Sequence, residues 1–294
     1  MYKIIAVDLD GTLLNSYGEL TIKTKRILKN AKRKGIEVVI ASGRSIDSIK
    51  SIAEEIDSSK YIIAGNGAVI YDRIEEKNIY ENFIPKEKVI EIIKLCDENN
   101  IFYNVYTDKA IIASSLRFNV LYYYKENLNK EEKKKTHIVL VENIENYVKQ
   151  MQNESVMKVL ICDSDKSVFN SIMRRISLVK DVEVLNLSYM SRKTIRRGTE
   201  QISIQYYYTE ISMKNVDKWY ALEFLLNKLK VEKTELIAIG DNWNDRKMIQ
   251  EAGVGVTMKD SNTELVEIAD MVADSNNNDG VAKILEFIIG DVSF

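Results

Sequence analysis

An apolar, β-branched run from Lys3 to Val7 stops abruptly at two carboxylates, Asp8 and Asp10. A strand buried on both faces is apolar throughout and carries its polar residues at its ends, so this run reads as a buried parallel strand with polar chemistry at its carboxyl end. The same pattern follows twice more. Thr21 to Lys34 is helical, with Ile22, Ile27, Leu28 and Ala31 on one face and Gly35 as its stop. Ile36 to Ala41 is a second apolar strand, closed by Ser42-Gly43-Arg44, and Ser45 to Ile56 is a second helix. Tyr61 to Ala64 is a third strand, ending at Gly65-Asn66-Gly67. Strand alternating with helix in this way is the signature of an α/β, Rossmann-like doubly wound parallel sheet.

The pattern returns late in the chain, with a helix from Trp219 to Leu229 and a strand from Leu236 to Ile239 running into Gly240-Asp241. A helix over 247–252, strands at 253–258 and 271–273, and a helix over 281–289 complete it. The middle differs. Pro85, the only proline, opens a helix over 86–98. Strand-like runs follow at 102–107, 110–114, 137–141, 156–162, 182–187 and 201–211, with one helix over 166–178. This reads as an α+β cap domain at 84–211, inserted into a core made of 1–83 and 212–294. The length of 294 residues suggests about two domains as well. Lys125 to Lys135 reads as a solvated helix face or loop, and Tyr122–Tyr124 and Tyr206–Tyr208 could stack on a ligand, with strand packing favoured.

Composition excludes several function classes. The formal net charge is −2 and the pI about 5.8, so no basic field is available to hold nucleic acid. No apolar run approaches the ~20 residues of a membrane span. The first residues are too short an apolar stretch for a signal peptide, which leaves the cytoplasm as the expected compartment. Cys96 and Cys162 have no metal-type spacing and read as small buried residues. His137 is the only histidine, so no mechanism needing two is open, and its surroundings look like an ordinary strand start.

In an open parallel sheet, ligands bind outside the carboxyl ends of the strands. Several strands here end in polar groups: Asp8 and Asp10, Ser42, and Asp241 with Asn244 and Asp245. Phosphoryl transfer needs a nucleophile, a proton donor for the leaving oxygen and fixed positive charge. Asp8 can attack phosphorus and form an aspartyl-phosphate. Asp10, separated from it by the turn that Gly11 permits, can protonate the leaving alkoxide and later take a proton from water. Two carboxylates and a dianionic phosphate require cations, and Mg²⁺ favours oxygen ligands. Asp241 can complete a carboxylate set with Asp8, and Asp245 is placed to hold a metal-bound water. Lys218 or Lys214 could supply a fixed ammonium, and Ser42 with the unhindered amide of Gly43 could bind phosphoryl oxygens.

At this point the residues resemble a family. Asp8-Leu-Asp-Gly-Thr12, Ile40-Ala-Ser-Gly-Arg44, Lys218 at a helix start and Gly240-Asp-Asn-Trp-Asn-Asp245 match, in order, the motifs of the haloacid dehalogenase superfamily of phosphohydrolases. Gly65-Asn66-Gly67-Ala68 and Asp279-Gly280-Val281-Ala282 look like features of its Cof-like group, which carries a large cap inserted late in the core. The resemblance implies that Asp8 is nucleophile and Mg²⁺ ligand, and that Asp10 is acid/base with its carbonyl on the metal. It further implies that Ser42 bonds the phosphoryl group, Lys218 neutralises it, Asp241 completes the metal set and Asn244 orients phosphate or a metal-bound water. Thr12 and Asp245 would support these groups from behind, and Arg44 and Asn66 are further candidates for substrate contact. The family's Lys-Gly is Lys218-Trp219 here, which leaves Lys214 as a rival; Lys218 is favoured because it begins the helical pattern. Met258-Lys259-Asp260-Ser261 also departs from the family's Met-Gly-Asn-Ala.

The implied activity is hydrolysis of a small phosphorylated metabolite, with sugar phosphates favoured and neither nucleic acid nor membrane as partner. Arg192, Lys193, Arg196 and Arg197 offer the cap a basic lining for such an ester. Two rivals share some of these features. A phosphomutase or phosphotransferase would pass the phosphoryl group to a sugar hydroxyl instead of water. A non-catalytic phospho-receiver or binding protein would lack the long insert or one of the two aspartates.

Overall fold

The computed structural model describes residues 1–56, 60–128, 132, 135–185, 189–197 and 200–290. The chain divides into two compact units, one formed by residues 1–81 with those from 216 onward and the other by residues 82–215. Elements are numbered along the whole chain.

The first unit holds β1 (Ile4–Val7), β2 (Glu37–Ala41), β3 (Tyr61–Ala64), β4 (Val69–Asp72), β5 (Lys77–Glu81), β13 (Leu236–Gly240), β14 (Val254–Met258) and β15 (Met271–Ala273). They form one sheet in the order β15-β14-β13-β1-β2-β3-β4-β5. Pairing is parallel from β15 to β3, and β4 and β5 add an antiparallel edge. Its helices are α1 (Ile22–Arg33), α2 (Ile46–Ile56), α7 (Lys218–Leu229), α8 (Arg246–Glu251), α9 (Thr263–Ile268) and α10 (Gly280–Ile289). The doubly wound parallel core read from the strand and helix alternation is therefore present. The β4–β5 edge was not read from the sequence: its outer strand is only half-buried and carries Lys77, Asn78 and Glu81.

Both faces of this sheet are covered, which is why its strands lack polar alternation. Ile4, Ala6, Val39, Ala41, Tyr61 and Ile63 pack against Trp219, Leu222, Leu225 and Leu226 of α7 and Met248 of α8. The alternate residues Ile5, Val7, Val38 and Ile40 are equally buried, and α1 and α2 pack on β2 and β3. Leu222 is fully buried in the α7 face, so Leu222→Ala is expected to lower unfolding free energy by about 2–5 kcal/mol, read by urea denaturation.

The second unit contains β6 (Phe102–Thr107), β7 (Ile111–Ala113), β8 (Ile138–Leu140), β9 (Val156–Asp163), β10 (Val182–Val184), β11 (Tyr189–Arg197) and β12 (Glu200–Met213). The order is β10-β12-β9-β6-β7-β8, with β11 paired to β12. All pairs are antiparallel except β7 with β8. Its helices are α3 (Lys86–Glu98), α4 (Phe118–Asn127), α5 (Ile144–Gln150) and α6 (Lys166–Ile176). Residues of α3, α5 and α6 form one core with the sheet, and Val120 of α4 joins a second, aromatic cluster with Phe102, Tyr106 and Tyr206.

One reading is corrected here. Tyr122–Tyr124 lie on α4, not in a strand. Aromatics favour strands intrinsically, but tertiary contacts override that preference. Asn119 and Asn104 exchange amide hydrogen bonds at 3.1 Å, and Asn119 also donates to the Tyr106 hydroxyl at 3.0 Å. The Arg117 guanidinium lies over the rings of Phe102 and Phe118, at 5.5 and 5.0 Å. These contacts dock the segment on the sheet as a helix. Tyr206–Tyr208 do lie on a strand, β12. Of the charged run 125–135, the first residues belong to α4, while 129–131, 133 and 134 lie outside the described residues, as do 186 and 187 of the strand expected at 182–187. Arg192, Lys193, Arg196 and Arg197 fall on β11, and their side chains lie outside the described part. Cys96 and Cys162 are both buried and unbridged. Among the described residues, no helix is long and apolar enough to cross a membrane.

Candidate active site

The direction of winding reverses at β1, which has β2 on one side and β13 on the other. Val7 pairs with Ile40 and with Ile239, so the chain leaves all three strands along one rim. The residues that follow are Asp8 and Asp10 after β1, Ser42 after β2 and Asp241 after β13. A reversal of strand order opens a crevice at the carboxyl ends, because the connections on its two sides run away in opposite directions.

Asp8 is nearly buried, and its amide donates to the Ile239 carbonyl at 3.0 Å. Lys218 is fully buried and bridges two carboxylates, donating to Asp8 Oδ1 at 2.5 Å and to Asp245 Oδ1 at 2.6 Å. It is the first residue of α7, and the Asp217 side chain caps that helix by accepting from the Trp219 amide at 2.6 Å. Lys214 belongs to the other unit, where its amide donates to the Asp181 carbonyl. Lys218 is thus the lysine that the fold joins to Asp8.

The turn after β1 needs its glycine twice over. Gly11 has a φ of +87°, and a Cβ there would stand 2.4 Å from an Asp241 carboxylate oxygen. That contact brings Asp241 against the Asp8–Thr12 turn. Thr12 Oγ1 donates to Asp241 Oδ1 at 2.7 Å, which fixes the carboxylate's orientation. Asp245, also fully buried, accepts from the amides of Asp241 and Asn242 at 3.1 and 3.0 Å. The Asp245 oxygens hold Lys218 and the start of the 241–245 loop.

Arg44 grips Asp10 with two nitrogens, Nε to Oδ2 at 2.7 Å and Nη2 to Oδ1 at 2.5 Å. A bidentate clamp of this kind fixes the carboxylate plane as well as its position. Ser42 is buried, its oxygen accepting from the Arg44 amide at 3.3 Å. Asn244 donates through Nδ2 to Asn66 Oδ1 at 3.0 Å. A Cβ at Gly43 would stand 2.8 Å from that same Asn66 oxygen. The Arg44–Asp10 and Asn66–Asn244 pairs and the cap at Asp217 were not read from the sequence. Only Asp217 carried a local signal, as an acidic residue immediately before a helical pattern.

The charges do not balance. Asp8, Asp241 and Asp245 each offer a carboxylate oxygen within 4.8 Å of the others, and Lys218 is the ammonium among them. Burial raises the Asp8 pKa well above the carboxylate range, and Asp245 and Asp241 raise it further, while Lys218 opposes them. Burial likewise lifts Asp241 to about 6, against the Thr12 hydrogen bond and with added repulsion from Asp245. For Lys218, burial favours the neutral amine, but Asp245 and Asp8 outweigh it and hold the group cationic. Three carboxylates against one ammonium leave a site that a hard divalent cation with oxygen ligands fits.

The family model for haloacid dehalogenase-like hydrolases matches residues 5–285. The chain is similar to Phosphatase YwpJ of Bacillus subtilis, 27% identical over 298 residues that cover 98% of this chain and all of that one. It is 26% identical to 5-amino-6-(5-phospho-D-ribitylamino)uracil phosphatase YcsE of B. subtilis, over 96% of this chain and 94% of that one. Among solved structures, a haloacid dehalogenase-like hydrolase from Bacteroides thetaiotaomicron superposes with a TM-score of 0.78 at 26% identity, covering 98% of this chain and 100% of that one. Matched along almost its whole length and carrying the family's motifs on one rim of its sheet, the chain belongs to the haloacid dehalogenase-like hydrolases, in their Cof-like group.

Proposed function

We propose that this hydrolase is a Mg²⁺-dependent phosphatase that cleaves small phosphate monoesters, sugar phosphates foremost, through an aspartyl-phosphate on Asp8. The observation that carries the reading is the fully buried Lys218 bridging Asp8 and Asp245 beside Asp241, at the strand ends where winding reverses. Burying an ammonium there is costly unless it is paired, and pairing it with the nucleophile sets fixed positive charge where a phosphoryl group would bind.

The carboxylates of Asp8 and Asp241 and the backbone carbonyl of Asp10 would hold the metal. A divalent cation, when bound, supplies positive charge against the phosphoryl oxygens. The remaining work falls to the chain. An Asp8 oxygen attacks phosphorus, forming the acyl-phosphate bond as the ester P–O bond breaks. Asp10, protonated and released from the Arg44 clamp, gives its proton to the departing alkoxide, then takes one from the water whose oxygen attacks phosphorus, which frees phosphate and Asp8. Ser42 and Asn244 bind phosphoryl oxygens, and Lys218 holds the nucleophile in line. We assign substrate choice to the inserted unit acting as a cap and place the protein in the cytoplasm, where two buried, unbridged cysteines are at home.

Assays with p-nitrophenyl phosphate test the metal requirement: EDTA is expected to abolish turnover and added Mg²⁺ to restore it. Turnover indifferent to EDTA would exclude the metal role. A panel of phosphorylated metabolites tests the substrate class, with release of inorganic phosphate from sugar phosphates expected. Isomerised sugar phosphate without free phosphate would make the enzyme a mutase.

A further inference from the structure

Asn66 contributes no group to the mechanism above, yet its turn touches the loops of three groups that do. Gly65, Asn66 and Gly67 all have positive φ, at 58°, 57° and 101°. Asparagine is among the few residues besides glycine that take the left-handed conformation readily, and three such residues in succession make a tight turn whose shape depends on its contacts. Those contacts are specific. The Asn66 amide donates to the Ser42 carbonyl at 3.0 Å, and the Gly65 amide to the Arg44 carbonyl at 2.9 Å. The Asn66 side-chain oxygen accepts from Asn244 Nδ2 and rests against Gly43, where a Cβ would leave only 2.8 Å. Gly67 lies so close to α7 that a Cβ would stand 2.2 Å from the Asp217 carbonyl oxygen and 3.1 Å from the Lys218 backbone nitrogen. One turn thus backs onto the segments that carry Ser42, Lys218 and Asn244, which lie on three different connections of the sheet.

We infer that Asn66 is a positioning residue: its side-chain oxygen holds the Asn244 carboxamide so that the amide's second N–H faces the phosphoryl group. This rests on the phosphatase reading. An amide nitrogen carries two N–H donors. Spending one on Asn66 fixes the plane and the flip of the Asn244 side chain. Without that acceptor, Asn244 is free to rotate, and the geometry of phosphoryl binding is lost even though Asn244 remains.

A double-mutant cycle tests this. Asn66→Gly keeps the left-handed backbone and removes the acceptor. With p-nitrophenyl phosphate and Mg²⁺, Asn66→Gly is expected to lower kcat/KM by about ten- to a hundredfold. Inhibition by inorganic phosphate should weaken in parallel, while Tm stays close to wild type. Asn244→Ala should fall as far, and the double variant should be no worse than Asn244→Ala by more than about twofold, because the first residue acts only through the second. If Asn66→Gly does not fold, Asn66→Asp tolerates the same backbone and keeps an acceptor oxygen, so it is expected to stay within about threefold of wild type, and a loss as large as that of Asn244→Ala overturns the inference. Asn66→Gly or Asn244→Ala within about twofold of wild type overturns the inference, as does a double variant whose loss is the product of the single losses, which would mean that Asn66 acts on substrate or fold independently. Asp8→Asn run beside it keeps the two readings apart. An active wild type with an inactive Asp8→Asn leaves the phosphatase reading standing whatever the cycle shows.

Discussion

Asp8→Asn is expected to reduce turnover by about 10⁴-fold or more while leaving the fold and phosphate-ester binding in place, because it removes the charge of the proposed nucleophile and keeps its shape. An amide has the shape of the carboxylate but does not attack phosphorus. The stability consequence has the opposite sign to the catalytic one. A carboxyl whose pKa is raised on folding destabilises the protein at any pH above its unfolded value. Burial raises that of Asp8, so a neutral side chain there relieves a penalty at pH 7. Lys218 keeps its second partner, Asp245. The variant should therefore melt at or above the wild-type temperature while hydrolysing nothing. Near-wild-type turnover in this variant would end the aspartyl-phosphate mechanism.

Lys218→Met is expected to fail in both respects. It removes the ammonium that compensates Asp8 and Asp245, both buried. Breaking a buried ion pair by deleting one partner leaves charge without compensation, and the loss is about 3–5 kcal/mol. Turnover should fall together with stability. The pH dependence separates this loss from ordinary cavity formation. With the lysine gone, nothing opposes the burial that raises the Asp8 pKa, and the penalty for its charge is present at neutral pH and relieved as pH falls and it protonates. Urea denaturation at pH 8 and pH 5 should show the gap to wild type narrowing at the lower pH. A gap that stays constant would mean that Lys218 contributes through packing rather than charge.

The two lysines show where sequence reasoning reaches and where it stops. Periodicity favoured Lys218 over Lys214 as the start of a helix, and Lys218 does open α7. Its complete burial between two carboxylates is a tertiary fact without a local signal. The strand ends at Asp8, Ser42 and Asp241 were legible because an apolar run ending in a polar residue is written in adjacent positions. The clamp of Arg44 on Asp10 and the link between Asn66 and Asn244 join residues 34 and 178 positions apart, and no periodicity records such pairings. Within the inserted unit, α4 was missed for a different reason. Phe118, Val120 and Tyr122–Tyr124 are strand-favouring residues, and the buried amides of Asn104 and Asn119 that dock them as a helix are visible only once the sheet exists.

The position of β1 also sets a timetable for synthesis. One edge of this strand is met by β2, only about thirty residues later, but the other is met by β13, which begins at Leu236. At the ~5–20 residues per second of ribosomal synthesis, that edge waits on the order of ten to fifty seconds for its partner. Until then the middle of the sheet is an open row of amides and carbonyls, the kind of edge that recruits other chains. Asp8 waits as long for Lys218, Asp241 and Asp245, all of which are made after the inserted unit. The nascent chain therefore carries Asp8 early but assembles the candidate site only after the inserted unit and β13 have been made.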